Sequence, residues 1–445
     1  MDDYDAEITD LPPRDQIQPV AKSSALRGTN FLHKAWIWRL GILIGGLLLA
    51  FLVVVGSFPS IRDKLAHLLF GPGQPPAPGT IYVNAYANNL YALRTKDGSI
   101  LWRYLTQGSI LSSPIMANGV VYVGTNEGDI YTVQADDGSL LWNIQTGDPV
   151  SALTVANGIL YAVVNHLSSG TVYALHTDDG SIAWEYHANY IAPSPPVIVD
   201  GIAYVDSDTQ PGTMYALRAS DGHLLWYYQA YTSVSPPVVD NGIVYIASSD
   251  GVIEAIRASN GSPLWQRIIG YIGSEAVIVN GSLYIASSNH EQSVNIVYAL
   301  RASDGSLLWQ TRIGFFGNHL TVVKGSLYIA GSDHDLRTSA IYDLRTSDGS
   351  LLWQRPASSA VLSYAVANDD VYFSSLNGGV YALRASDGSL LWQHQGDFPV
   401  LSLIVGNGKI YLVSDSVQPP DRVYALQANN GSLLWQHQAS TFVSS

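Results

Sequence analysis

The chain contains no cysteine among its 445 residues and has few charged side chains. The absence of cysteine excludes disulfide bonds, thiolate metal sites, haem attachment through Cys-x-x-Cys-His and a lipid-modified N-terminal cysteine. Charged residues make up 13% of the chain, against about 25% in an average globular protein, while glycine, tyrosine and tryptophan are abundant. This composition suits strands and turns better than surface helices, and it predicts an all-β protein.

Basic residues are scarce in the larger part of the chain. Residues 80–445 carry 29 acidic and 15 basic residues, and the difference of 15 − 29 equals the whole formal charge of −14. A surface with this balance repels phosphate backbones. We therefore do not expect nucleic acid as a partner.

The N-terminal part differs from the rest of the chain. Residues 1–34 are mostly polar, begin with the acidic run "MDDYDAEITD" and are predicted to form a disordered tail. Residues 35–58 are predicted to form a transmembrane helix, because Leu40 to Phe58 is a run of 19 residues without a charge, close to the ~20 needed to cross a bilayer. A buried helix of a soluble core and a cleaved signal peptide are the alternatives. The second would need a shorter apolar core and a clear cleavage site.

The flanks of this span predict its orientation. More basic residues precede it than follow it, which favours a cytoplasmic N-terminus and a single-pass protein of the cell membrane. Residues 59–79 end in "GPGQPPAPG" and are predicted to be a stiff linker. Membrane lipid is the partner expected for residues 35–58, and the G-x-x-x-G of Gly41 and Gly45 can bring two such helices together as a weak homodimer.

A tryptophan recurs nine times in the remaining sequence at spacings of 40, 42, 42, 39, 44, 44, 39 and 43 residues. Each unit has three strand-like runs of period two, preceded by a fourth run, and four short antiparallel strands at this period are typical of a propeller blade. We expect residues 80–445 to form a single closed β-propeller. The recurring residues are Trp102, Trp142, Trp184, Trp226, Trp265, Trp309, Trp353, Trp392 and Trp435.

The recurring phrase predicts structural roles for its residues. The Asp-Gly or Asn-Gly pair before each tryptophan predicts a two-residue hairpin with positive φ values between the third and fourth strands, C and D. The tryptophan on strand D is predicted to dock against the neighbouring blade, in preference to stacking on a ligand. The first unit starts at Ile81 without an inner strand, so the segment after Trp435 is predicted to supply that strand.

The phrase "YALRASDGSLLWQ", present at Tyr298–Gln310 and Tyr381–Gln393, resembles the repeat of the pyrroloquinoline-quinone-like, or quinoprotein-type, propeller family. The resemblance covers residues 80–445. Members of that family usually have eight blades, whereas the repeat count here gives nine. The resemblance implies either an alcohol or sugar dehydrogenase that holds the quinone and calcium at the centre of the ring, or a scaffold that has lost the cofactor.

The sequence favours the scaffold. Without cysteine the chain cannot carry the adjacent cysteines or the haem domain of many quinone-dependent dehydrogenases, and its blades lack long insertions. The leading hypothesis is a membrane-anchored, extracytoplasmic and non-enzymatic module that binds a protein, a glycan or a small polar ligand, with no cofactor expected. The alternatives are a dehydrogenase dependent on pyrroloquinoline quinone and calcium, and an architectural spacer without a ligand.

The predicted binding face carries the connections between strands B and C and between D and A. Its B-C connections are longer in five units, and variable loops on a rigid scaffold tend to carry binding residues. Their acidic and imidazole side chains would suit a divalent cation or a polar ligand, although ordinary solvated loops have the same composition and no spacing matches a metal motif. The candidate residues are His166, Asp206, Asp208, His290, Glu291, Asp333, His334, Asp335 and Asp415.

Overall fold

The structure is a computed structural model. It describes residues 79–85, 88–166, 169–207, 209–272, 274–289, 294–314, 316–332, 339–414 and 422–438. The predicted tail and transmembrane helix lie outside these residues, as does nearly all of the predicted linker. Within the described residues the chain forms no helix with the length and apolarity that crossing a membrane requires.

The described residues form 36 strands, which fall into nine consecutive groups. The first three groups are β1 (Thr80–Ala85), β2 (Asn89–Arg94) and β3 (Ile100–Leu105); β4 (Ile115–Ala117), β5 (Val120–Gly124), β6 (Asp129–Gln134) and β7 (Leu140–Gln145); and β8 (Val150–Ala156), β9 (Ile159–His166), β10 (Ser169–His176) and β11 (Ile182–Asn189).

The next three groups are β12 (Val197–Val199), β13 (Ile202–Asp206), β14 (Thr213–Arg218) and β15 (Leu224–Gln229); β16 (Val238–Asp240), β17 (Ile243–Ala247), β18 (Val252–Arg257) and β19 (Pro263–Ile268); and β20 (Tyr271–Ile272), β21 (Val277–Val279), β22 (Ser282–Asn289), β23 (Val294–Arg301) and β24 (Leu307–Ile313). The last three are β25 (Phe316–Val323), β26 (Ser326–Ser332), β27 (Ser339–Arg345) and β28 (Leu351–Ala357); β29 (Val361–Ala367), β30 (Asp370–Ser375), β31 (Gly379–Arg384) and β32 (Leu390–Gln395); and β33 (Val400–Gly406), β34 (Lys409–Ser414), β35 (Arg422–Gln427) and β36 (Leu433–Gln438).

Each group is one antiparallel sheet, and each sheet corresponds to one sequence repeat. Seven sheets have four strands hydrogen-bonded in chain order, A to D. In the sixth sheet β20 and β21 both pair with β22 and together take the place of strand A. The first sheet has three strands among the described residues, equivalent to B, C and D. The segment predicted to complete it, residues 439–445, lies outside the described residues.

A row of three side chains crosses every blade. In blade 4, Tyr204 of strand B lies opposite Ala216 of strand C, which lies opposite Trp226 of strand D. Because the middle residue is small, the two rings meet across strand C. The tyrosine and tryptophan ring centroids are 5.7 to 6.4 Å apart in the nine blades.

Every tryptophan of these rows also docks on the following blade. The indole N–H donates to a main-chain carbonyl at the start of the next C-D turn, over 2.8 to 3.1 Å. The indole ring lies on the glycine of that turn, where an added Cβ would stand only 2.4 to 2.8 Å from the ring. The nine tryptophans therefore join each blade to the next.

The last blade docks on the first. The Trp435 indole donates to the Thr95 carbonyl at 3.1 Å and its ring covers Gly98. The Lys409 ammonium donates to the same carbonyl at 2.7 Å. A hydrophobic cluster joins Val83 to Trp435, and eight further clusters join the other consecutive blades. The ring is therefore closed and has nine blades, one more than the eight that are usual in the resembled family.

The C-D turns differ from the prediction. Only the glycine of each Asp-Gly or Asn-Gly pair has a positive φ, and the loop spans five residues, as in Thr95 to Ser99 between β2 and β3. The aspartate acts by hydrogen bonding, since Asp97 Oδ1 accepts from the Ser99 main-chain N–H at 3.0 Å. Two-residue turns with two positive φ values occur instead between strands A and B, as at Asn118 and Gly119.

One row contains a buried acid. Seven blades have alanine in the middle of the row, blade 2 has Thr132 and blade 7 has Asp343. Asp343 is 1% exposed, and its Oδ2 accepts a hydrogen bond from Ser326 Oγ at 3.2 Å. Its Oδ1 has no partner among the described residues. Burial raises the pKa of this carboxyl to about 6 from an ordinary value of 3.8.

We predict that Asp343→Ala stabilises the protein at neutral pH. The pKa of the Asp343 carboxyl is about 6 in the folded protein and about 4 in the unfolded chain. Between these pH values the folded protein keeps the proton that the unfolded chain loses. The free energy of unfolding of the wild type therefore falls as the pH rises from about 4 to about 6. The variant should gain about 1 to 3 kcal/mol in unfolding free energy at pH about 7 and much less near pH 4.

Urea unfolding of the full chain at the two pH values measures this difference. Asp343→Asn, which keeps the size but cannot ionise, should lose the same pH dependence. A gain for Asp343→Ala that is equal at both pH values would contradict the assignment.

Candidate functional site

The two faces of the ring carry different connections. On one, which we call the turn face, the A-B and C-D turns meet, as when the Ala135 N–H donates to the Gly119 carbonyl at 2.9 Å. On the other, the loop face, the B-C and D-A connections meet, as when the Asn126 N–H donates to the Ser109 carbonyl at 2.9 Å. The A strands of successive blades contact one another, for example β29 and β33, which places them at the centre.

Two of the nine predicted site residues are described. The other seven lie outside the described residues: Asp208, His290, Glu291, Asp333, His334, Asp335 and Asp415. The B-C connections of blades 3 and 6 are shorter than the sequence suggests, because β9, β10, β22 and β23 extend into them.

His166 is the last residue of β9 and lies exposed on the loop face. Its Nδ1 is 2.7 Å from Asp148 Oδ1 in the connection between β7 and β8. Both side chains are about half exposed, at 58% and 41%. Such a pair is largely screened by solvent, and it ties two neighbouring connections together at the surface.

Asp206, the last residue of β13, is buried rather than exposed, with 3% of its surface accessible. Its Oδ1 accepts a hydrogen bond from Ser194 Oγ at 2.5 Å, and its main-chain carbonyl accepts from the Ala192 N–H at 2.8 Å. The side chain therefore holds the D-A connection against strand B of the same blade.

Neither His166 nor Asp206, the two described candidates, belongs to a metal centre. Among the described residues there is no group of three or more His, Asp or Glu side chains placed to hold a metal ion.

A pocket of about 370 Å³, which we call the mouth pocket, opens on the loop face where the A strands of blades 5, 6 and 7 begin. Its lining combines small hydroxyl side chains with two titratable and a few apolar ones. The residues are Ser233, Val234, Ser235, Ala247, Ser249, Ile272, Ser274, Glu275 and His319.

The polar groups of the mouth pocket are unequally available. The Ser274 hydroxyl is buried and accepts from the Ala286 main-chain N–H at 3.0 Å. The Ser233 and Ser249 hydroxyls are 3.1 Å apart and bond to each other. Glu275 and His319 are exposed, so a carboxylate and an imidazole are the groups best able to accept from or donate to a polar molecule there.

Glu275 and His319 were missed by reasoning from the sequence. Glu275 lies between β20 and β21 of blade 6 and His319 lies in β25 of blade 7, whereas the length variation in the sequence points to B-C connections. No local motif marks either residue, because the mouth pocket is built from residues of three consecutive blades that are well separated in the sequence.

A protein family described as "outer membrane protein assembly factor BamB" matches residues 64–190, 168–315 and 293–444, which together span nearly all of the repeat region. The chain belongs to this family of quinoprotein-like propellers. No curated protein sequence matched it.

Solved structures are similar to this chain at low sequence identity, and the first two named here, with TM-scores above 0.5, share its fold. The computationally designed Ika8 protein is 15% identical with a TM-score of 0.53, over 74% of this chain and 96% of that one. Quinohemoprotein alcohol dehydrogenase ADHIIG from Pseudomonas putida HK5 is 13% identical with a TM-score of 0.52, over 82% and 75%. BamB from Moraxella catarrhalis is 18% identical with a TM-score of 0.48, over 76% and 89%.

The described lining of the mouth pocket does not fit a quinone with calcium. Calcium takes six to eight oxygen ligands, usually including several carboxylates, and among the described residues Glu275 is the only carboxylate in the lining. A quinone that itself carries carboxylates calls for basic side chains, and the described part of the lining contains neither lysine nor arginine.

We predict that the two described candidates differ in their effect on stability. Asp206→Ala leaves the Ser194 hydroxyl without its buried acceptor and should cost about 1 to 3 kcal/mol. His166→Ala, the matched control on the same face, should change the unfolding free energy by less than about 1 kcal/mol. Urea unfolding of both variants measures this, and equal losses would contradict the structural role of Asp206.

Proposed function

We propose that this chain is a membrane-anchored, extracytoplasmic binding module without catalytic activity, which takes a protein, glycan or small polar ligand on its loop face. The observation that carries the proposal is the mouth pocket at the centre of that face. Its volume of about 370 Å³ lies within the range of about 300 to 1,000 Å³ typical of ligand sites.

The chemistry of the mouth pocket supports a polar ligand. Glu275 and His319 offer charge and hydrogen bonding, while Val234 and Ile272 offer an apolar floor. Both apolar residues are buried, at 6% and 7% exposure, so their positions are fixed by packing within the blades. A rigid pocket with a few polar groups binds without a large ordering cost.

The uniformity of the other face supports the same choice. In the C-D turns an aspartate or asparagine side chain accepts a hydrogen bond from the main-chain N–H two residues later, as Asp97 does in blade 1 and Asn430 in blade 9. These turns carry the glycines on which the tryptophans of the preceding blades dock. Differences between blades, which a selective partner needs, are concentrated on the loop face.

Anchoring and orientation come from the N-terminal sequence. The uncharged run from Leu40 to Phe58 and the excess of basic residues before it support a single span with the propeller outside the cytoplasm. The proline-rich linker would hold the ring away from the bilayer.

We predict that filling the mouth pocket abolishes capture of the ligand. In Ser235→Trp an indole would occupy the pocket, and in Glu275→Gln its carboxylate charge is removed. The matched control is Lys324→Ala in blade 7, on the turn face, which breaks only an exposed ion pair to Asp369.

The measurement is cross-linking of the full-length protein to its surroundings in the native membrane, identified by mass spectrometry, together with thermal shifts against a panel of sugars, amino acids and polyamines. Capture or a shift that is lost in Ser235→Trp and Glu275→Gln but kept in Lys324→Ala supports the proposal. Dye-linked oxidation of alcohols or sugars after addition of pyrroloquinoline quinone and calcium would overturn it in favour of a dehydrogenase.

A further inference from the structure

A second, smaller pocket lies between blades 8 and 9, and we call it the rim pocket. Its volume is about 100 Å³, the space of roughly three water molecules. Strand D of blade 8 and the following connection form one side, and strands B, C and D of blade 9 form the other. The lining side chains used below are Asp397, Phe398, Arg422, Tyr424 and Leu433.

Arg422 is held in place by two contacts. Its terminal nitrogen donates to Asp397 Oδ2 at 2.9 Å, and its guanidinium lies over the Phe398 ring, 4.8 Å from the centroid. The Nε atom of Arg422 is buried and has no partner among the described residues. The guanidinium of Arg422, a residue of the rim pocket lining, is therefore fixed in place and keeps one N–H unused.

Tyr424 supplies a second unused group. The residue is 7% exposed, and its hydroxyl has no partner among the described residues. Burial raises the pKa of this phenol, so the hydroxyl keeps its proton and can donate. Arg422 and Tyr424 both line the same small pocket.

Equivalent tyrosines in two other blades are satisfied. The Tyr131 hydroxyl accepts from the Gln107 main-chain N–H at 3.1 Å, and the Tyr342 hydroxyl accepts from the Gly314 N–H at 3.0 Å. The residue that corresponds to Gln107 and Gly314 in front of blade 9 is Asp397, and the Tyr424 hydroxyl accepts no such bond among the described residues.

Arginine at this position also sets blade 9 apart. The other blades have uncharged or acidic residues two positions before the strand C tyrosine or its substitute: Asn89, Asp129, Thr171, Thr213, Val252, Ile296, Ala340 and Gly379. The rim pocket is therefore a feature of one blade and does not follow from the repeat.

We propose that the rim pocket binds the hydroxyl edge of a neutral sugar. A hydroxyl oxygen of the sugar can accept from Arg422 Nε and from the Tyr424 hydroxyl, and its O–H can donate a hydrogen bond to Asp397 Oδ1. The Asp397 side chain is 75% exposed. Leu433, 48% exposed, offers an apolar surface for the C–H face of the ring.

Charge decides between a sugar and an anion. Arg422 is already neutralised by Asp397, and the chain carries a formal charge of −14. An incoming carboxylate would face the Asp397 carboxylate as well as this field, whereas a neutral hydroxyl uses all three groups without that cost.

The test uses the full-length chain and three neutral probes: glucose, galactose and N-acetylglucosamine, with glucuronate as the anionic counterpart. Binding is followed by saturation-transfer NMR and by the shift in melting temperature. At least one neutral probe should bind, and Tyr424→Phe or Arg422→Lys should weaken it by about tenfold or more, the effect of about 1.4 kcal/mol.

Tyr342→Phe is the matched control, because it removes an equivalent hydroxyl that is already bonded to main chain, and it should leave sugar binding unchanged. Ser235→Trp, which fills the mouth pocket, should also leave sugar binding to the rim pocket unchanged. Binding at the two pockets can therefore be tested independently, and a failure of the function proposed above can be told apart from a failure of this proposal. Comparing each free sugar with an oligosaccharide that ends in it distinguishes a free monosaccharide from the tip of a glycan.

The proposal fails if no neutral probe binds, if Tyr424→Phe binds as well as the wild type, or if glucuronate is preferred. In the first case the pocket holds water only, and in the last it is an anion site.

Discussion

The hydrogen bond between an indole N–H and the carbonyl of the next blade is the constraint on which the ring depends. It occurs at all nine junctions with nearly the same length, and at each one the indole plane covers the glycine of the neighbouring C-D turn. Because Trp435 makes the same contact with Thr95 as the others make with their neighbours, one interaction both joins the blades and closes the circle. Any added side chain on the turn glycines would push the ring apart.

This arrangement gives the repeated phrase a single purpose. The tyrosine on strand B supports the tryptophan on strand D, the small residue on strand C lets them meet, and the aspartate of the turn fixes the glycine beneath the next indole. Departures from the phrase, as at Asp343 and Arg422, therefore mark places where one blade differs from the others. One departure gives a buried acid and the other a small polar pocket.

Much of the fold could be predicted from the sequence, because the tryptophan spacing counts the blades and the alternation of apolar residues marks the strands. The geometry predicted for the C-D turns was wrong. An Asp-Gly or Asn-Gly pair forms two-residue hairpins, but the same pair also occurs in five-residue turns, where the aspartate accepts a hydrogen bond from a main-chain N–H, as Asp97 does from Ser99. The mouth pocket could not be predicted. It combines Ser235, Glu275 and His319 from three consecutive blades, and only the packing of these blades on one another brings them together.

The most direct test of this account is hydrogen exchange of the indole N–H groups in the full chain, observed by NMR with tryptophan-selective nitrogen labelling and assigned by single Trp→Phe substitutions. The account predicts nine slowly exchanging indole protons, with that of Trp435 protected like those of Trp226 and Trp392. A Trp435 proton that exchanges with solvent as fast as a free indole would mean that the last blade does not dock on the first, and would contradict the closed ring.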